Sequence, residues 1–161
     1  MSATRTSTDR HVDSASPGPR RWWTQLAAPP TATSSILCLA GGVLLVVSSV
    51  IHLHLWSTGY RHIPTIGPLF LVQGAFGIVL ALAIGISRRA WTALAGALFA
   101  ASTIGGLLLS VEVGLFGFKD SLSAPDATLS LVVESAALVV LASAALLGVH
   151  RPKHAVSQMA A

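Results

Sequence analysis

The chain has 161 residues, of which 53% are hydrophobic and only 10% charged, whereas a soluble domain carries about 25% charged residues. That excludes an ordinary water-soluble globule and points to several bilayer spans. The formal charge of +4 would suit nucleic acid only if its basic residues clustered on one solvated face; the adjacent pairs Arg20–Arg21 and Arg88–Arg89 each flank an apolar run, so nucleic acid is not expected as a partner.

Residues 1–34 are rich in Ser, Thr, Pro and Arg, without apolar periodicity. Such a segment buries too little surface to offset chain entropy and is predicted to be a disordered tail. Trp22 and Trp23 follow Arg20–Arg21 directly, and no small-x-small cleavage site closes the next apolar run, so the tail is expected to stay uncleaved. Four long apolar segments come next, over about 35–55, 66–86, 91–116 and 127–149. Each reaches the roughly 20 residues that cross a bilayer core of about 30 Å. Backbone groups in lipid must be satisfied within the segment, so all four are predicted as helices: an all-α transmembrane four-helix bundle. Residues 150–161 form a short second tail.

Basic residues set the orientation. Eight of the ten Lys and Arg fall in the two tails and the Arg88–Arg89 connection, and only Arg61 and Lys119 on the other side. Lys and Arg are retained on the cytoplasmic face, so both termini are expected in the cytoplasm, with the protein in the cytoplasmic membrane. Trp22, Trp23 and Trp91 at one boundary, with Trp56 and Tyr60 at the other, fit interfacial aromatic belts.

Membrane helices associate through small residues, because lipid tails are as apolar as Leu. Gly74, Gly77, Ala81 and Gly85 mark such a face on the second span; Ala97, Ala101 and Gly105 mark one on the third, and Gly41, Ser48 and His52 one on the first. The single cysteine, Cys38, sits in the first span, so there is neither an internal disulfide nor a CxxC motif.

Ionisable groups at membrane depth are costly and mark function or a paired contact. At a rise of about 1.5 Å per residue, His52 lies about 6 Å below the outer boundary, and Gln73 and Glu134 about 10 Å below it. Glu112 lies near the outer edge and is expected to continue the face of Gly105. The sequence therefore predicts a polar pocket of His52, Gln73, Glu112 and Glu134 in the outer leaflet, lidded by Tyr60, Arg61 and His62. The competing reading is structural: the same groups hydrogen-bond across helices and fix bundle register, at about 1–2 kcal/mol each.

No metal or cofactor is assigned. Only the first span carries intramembrane His, so one chain does not offer haem axial ligands from two helices. His52 and His54 splay apart on a helix and would turn together towards His62 only if the helix ended by Ile51. No phosphate-cradling glycine loop and no Gly-x-Ser-x-Gly elbow occurs, so no catalytic residue set emerges.

The stretch His52-Leu53-His54-Leu55-Trp56, followed by Gly59-Tyr60-Arg61-His62-Ile63-Pro64-Thr65-Ile66-Gly67-Pro68-Leu69-Phe70, resembles a pattern in small, uncharacterised four-helix integral membrane proteins of actinobacteria. The likeness covers about the first two spans and implies a location, the outer loop, without a mechanism. The expected role is a binding or accessory component of the membrane. The alternative is a membrane-embedded enzyme or small transporter using Glu134, Glu112 and His52 as proton or cation groups. Beside the lipid bilayer, the expected partner is a second copy or another membrane protein, because four helices are few for a lone transporter.

Overall fold

A computed structural model describes residues 29–124 and 126–149. Helix α1 spans Ala32–Thr58, α2 Ile66–Ser87, α3 Ala90–Glu112 and α4 Ala127–Val149, with a 3-10 turn at Tyr60–His62. Among the described residues there is no strand, only an isolated bridge between Leu115 and Phe118. All four helices are long and apolar enough to cross a bilayer, and the protein is an all-α, multi-pass four-helix bundle. The predicted tails lie outside the described residues, except that helix α1 starts inside the predicted N-terminal one.

The early start has a local cause. Thr31 Oγ1 accepts from the Ser34 backbone N–H at 3.1 Å, and Ser34 Oγ accepts from the Thr31 N–H at 2.9 Å. This reciprocal pair satisfies two otherwise orphaned donors and fixes the helix start. At its other end α1 continues past Ile51 to Thr58, so His54 stays on the exposed side and does not turn with His52 towards His62.

The third span is shorter than the apolar run suggests, ending at Glu112 instead of near residue 116. Gly114 and Gly117 follow at φ +83° and +81°, a backbone region open to glycine and closed to a continuing helix. Between them the chain doubles back, with Leu115 and Phe118 exchanging backbone hydrogen bonds and Asp120 N–H donating to Ser110 O at 3.3 Å. This hairpin lays Phe118 and Asp120 over the end of the bundle.

Packing differs sharply between the two ends. Near Arg88–Arg89, Leu45, Ile84, Ala93, Ala97 and Leu141 form a closed core. Leu141 rests directly on Gly41, where any Cβ would collide with it. Residues pointing away from the axis, such as Val43, Val79, Leu98 and Val132, are apolar and exposed, as a lipid-facing surface requires. Over their lengths α1–α2, α3–α4 and α1–α4 are in close contact, while α2 and α3 touch much less and have a space between them towards the other end. That divergence opens a cavity.

Candidate functional site

On α1 the buried positions Cys38, Gly41, Leu45, Ser48, His52 and Leu55 advance by alternating steps of three and four residues. On α4, Ala127, Ser130, Glu134, Ala137 and Leu141 do the same. His52 and Glu134 thus occupy core positions of their helices, and helical periodicity aims them at each other. Glu134 is only 2% exposed.

The groups form one connected chain. Ser48 Oγ donates to Glu134 Oε1 at 3.1 Å, while the Thr103 hydroxyl, on the same cavity wall, donates to Ala100 O at 2.8 Å. His52 Nε2 lies 3.7 Å from Glu134 Oε1. His52 Nδ1 is 2.9 Å from Ser48 O; a carbonyl can only accept, so Nδ1 carries a hydrogen. In the neutral ring Nε2 is then the acceptor, and the Gln73 amide nitrogen donates to it at 2.8 Å. Adding a proton at Nε2 would require Gln73 to present its carbonyl oxygen instead.

A lone charge in hydrocarbon is costly unless it is paired. The pair is neutral in two forms, carboxylic acid beside imidazole or carboxylate beside imidazolium, and one proton serves both. Movement of that proton between Glu134 and Nε2 needs only a short closure of the 3.7 Å gap and a turn of the Gln73 amide.

These residues lie against a cavity of about 320 Å³ between the diverging halves of α2 and α3, under the Leu115–Phe118 hairpin. Its walls are mainly apolar and include the rings of Tyr60, Phe70, Phe76, Phe99 and Phe118. Tyr60 stacks on Phe70 with ring centroids 4.6 Å apart and meets Phe118 edge-on at 5.8 Å; Phe70 also lies 5.2 Å from the His52 ring. Burial, and then the negative charge of the Asp120 carboxylate, push the Tyr60 hydroxyl above its ordinary value. Tyr60 therefore remains a neutral donor at the cavity's loop end. Ser110 and Ser130 also line the space; their hydroxyls are buried and have no hydrogen-bond partner among the described residues.

Of the residues predicted for the pocket, the structure brings His52, Gln73 and Glu134 together around the cavity and leaves Glu112 outside, exposed at the end of α3. The face of α3 that meets the cavity runs through Phe99, Thr103, Gly106 and Ser110. Glu112 lies two positions beyond Ser110, about 200° around the helix. Steps of four, as in Ala97-Ala101-Gly105, drift about 40° per turn away from a buried face, which misdirected the extrapolation. Of the predicted lid only Tyr60 lines the cavity. Arg61 and His62 are exposed, with Arg61 Nε donating to His62 Nε2 at 2.9 Å.

Ser48, Thr103, Ser110, Ser130 and Asp120 complete the site and were not singled out as pocket residues. The alternating register that marks His52 and Glu134 also contains Ser48 and Ser130, so those two were recoverable. Asp120 depends on the fold of an irregular loop and left no such signal. Compared with protein-family models, curated proteins and solved structures, the chain matches none.

Proposed function

We propose that this protein is a multi-pass component of the cytoplasmic membrane, with both termini cytoplasmic, that binds a small amphiphilic molecule in the outer leaflet. The observation that carries the reading is the cavity itself: a mainly apolar chamber of about 320 Å³, with His52 hydrogen-bonded to Gln73 and 3.7 Å from Glu134 at its side. Ligand sites are typically concave and mainly apolar, with a few convergent polar groups that fix orientation. The excess of Lys and Arg in the tails and at Arg88–Arg89 supports the orientation. The stretch that resembles actinobacterial membrane proteins contributes His52, Leu55, Tyr60, Ile66, Leu69 and Phe70 to the cavity, which gives that resemblance a physical focus. The 3.7 Å approach of His52 to Glu134 favours a second reading, in which the bound molecule exchanges with a proton during transport by a homo-oligomer.

The test is a block of the chamber. A Cβ on Gly106 meets nothing within 4 Å, so Gly106→Trp leaves the backbone in place and fills the cavity. Wild-type protein in phosphatidylcholine nanodiscs is expected to bind the uncharged fluorophore N-phenyl-1-naphthylamine above the background of empty discs. The variant should lose that binding by about tenfold or more, a change of about 1.4 kcal/mol. Equal binding by both proteins would remove the pocket from the protein's function. Reactive tags at the two termini, accessible only after the inner face is exposed, would test the orientation.

A further inference from the structure

The chamber has an opening and a charge sign, and both restrict what it can take. The seam between α2 and α3 is fastened at one end. The two-residue link Arg88–Arg89 joins the helices there, Ser87 Oγ and Thr92 Oγ1 are 2.8 Å apart, and Ile84 closes over Gly96. The Phe76 and Phe99 rings, with centroids 5.5 Å apart, form the last contact along this seam before the chamber begins. From Phe76 onwards towards the loop end, Phe76, Val72 and Leu69 line the chamber and at the same time stand on the outer surface, Val72 with 62% exposure. Ser102 does so on α3. The outer surface of a spanning helix faces acyl chains, so this seam opens into the bilayer.

The charged and titratable groups facing the chamber come from three places. Helix α1 and its following turn present His52 and Tyr60, α4 presents Glu134, and the loop after α3 presents Asp120. Helices α2 and α3 present only uncharged side chains, among them Gln73, Thr103 and Ser110. No Lys or Arg lines the space among the described residues; Arg61 and Lys119 are exposed outside it. A phosphate, sulfonate or carboxylate would therefore meet the Asp120 carboxylate and a Glu134–His52 pair that is neutral as a whole, with no fixed cation to hold it. A positive group would meet Glu134, Asp120 and the ring faces of Tyr60, Phe70 and Phe118, which attract cations through their quadrupoles.

A second observation points to an occupant independently of the acids. Ser110 and Ser130 line the chamber and are 7% and 5% exposed, and their buried hydroxyls have no hydrogen-bond partner among the described residues. A helical serine normally satisfies itself on the carbonyl one turn back, as Ser143 does with Val139 O at 2.8 Å. Ser110 and Ser130 make no such bond among the described residues, so each hydroxyl would gain a partner by turning from the wall towards a polar or positive group in the chamber.

We propose that the chamber accepts a small lipophilic cation, such as an aryl-alkyl ammonium, that reaches it sideways from the bilayer between α2 and α3. This rests on the pocket assignment above and adds the sign of the ligand and its route.

The test uses the full chain in phosphatidylcholine nanodiscs, whose zwitterionic surface does not itself concentrate cations. Benzyltrimethylammonium, its uncharged carbon isostere neopentylbenzene and the anion phenylmethanesulfonate are compared as competitors of N-phenyl-1-naphthylamine. The cation is expected to compete at least tenfold better than the isostere, and the anion not at all. Glu134→Gln and Asp120→Asn should each reduce that preference while the neutral fluorophore still binds; the loop variant keeps the test open if the buried one does not fold. Val72→Trp and Ser102→Trp should slow fluorophore association about tenfold by narrowing the seam. Equal competition by cation and isostere, a preference that survives both acid substitutions, or association rates indifferent to both tryptophans would overturn the proposal while leaving the pocket intact. Failure of the wild type to bind the fluorophore at all would take the pocket assignment down with it.

Discussion

Replacing Ser48 by Ala and replacing Ser130 by Ala remove the same atom from two buried helix positions, yet the structure demands different outcomes. Ser48 Oγ donates to Glu134 Oε1 at 3.1 Å, and its loss leaves a buried carboxyl oxygen one donor short. Side-chain hydrogen bonds between membrane helices average about 0.6 kcal/mol and reach about 1.7, and an orphaned buried acceptor lies at the upper part of that range or above it. Ser48→Ala is therefore expected to cost about 1–2 kcal/mol. Ser130 Oγ has no partner among the described residues, so Ser130→Ala gives up nothing in the unliganded protein and is expected to stay within about 0.5 kcal/mol of wild type, or to stabilise it slightly. Reversible unfolding in mixed micelles, followed by tryptophan fluorescence, reads both. The order should reverse for the fluorophore or cation: Ser130→Ala weakens binding at a chamber wall. Equal destabilisation by the two substitutions would refute the reasoning, because it would mean that the Ser130 hydroxyl is already satisfied within the protein.

Leu141→Ala should destabilise the closed end by about 2–5 kcal/mol, measured in the same unfolding assay, since Leu141 is 0% exposed and fills the space above Gly41 and Gly96. Gly67→Ala should disrupt the outer turn and with it fluorophore binding, because the added Cβ would lie 2.7 Å from Tyr60 O and 2.8 Å from Arg61 O, backbone atoms that cannot swing aside. Tyr60 is the chain's single tyrosine, so ultraviolet titration reports it alone: ionisation should occur above the ordinary value near 10, and Asp120→Asn should lower it without restoring that value, because burial is the larger cause. With its folded value raised, Tyr60 contributes stability that is complete below the ordinary value and is lost as pH climbs through the raised one; titration at or below the ordinary value would contradict the placement of Tyr60 against Phe70 and Asp120.

The sequence made the spans and much of the buried chain legible because one physical rule governs both. In a bilayer, length and apolarity define helices without reference to tertiary contacts, and α4 falls on the predicted 127–149. Ionisable side chains at membrane depth are rare and costly, which is why His52 and Glu134 stood out; the three-four register of their helices then aims both at protein. Glu112 was misjudged for a different reason: near a helix end the face can be solvated by headgroups and water, so polarity no longer implies an inward direction. The end of α3 was illegible by hydropathy alone, since Val113, Leu115, Phe116 and Phe118 are as apolar as the span before them; the two positive-φ glycines carried the signal. Asp120 enters the site only because that hairpin folds back, a non-local event that no periodicity reports.

The two ends of the bundle divide stability from chemistry. Small residues let the helices close tightly around Leu45, Ile84 and Leu141, and the short Arg88–Arg89 link forces α2 and α3 together there. Two helices held at one end by a two-residue link and leaning on different neighbours have no reason to meet at the other. Helix α2 packs along α1 and α3 along α4, and α1 packs on α4, whereas α2 and α3 touch little. The chamber is thus a consequence of how the helices pair, and it can persist without a plug because its walls are stiffened by the Tyr60–Phe70–Phe118 ring contacts and by the Ser48–Glu134–His52–Gln73 chain. On the proposed reading those polar contacts carry a register role and a binding role together: the same hydrogen bonds that fix α1 against α4 and α2 also hold the carboxyl group and the imidazole where a ligand arriving through the open seam would meet them.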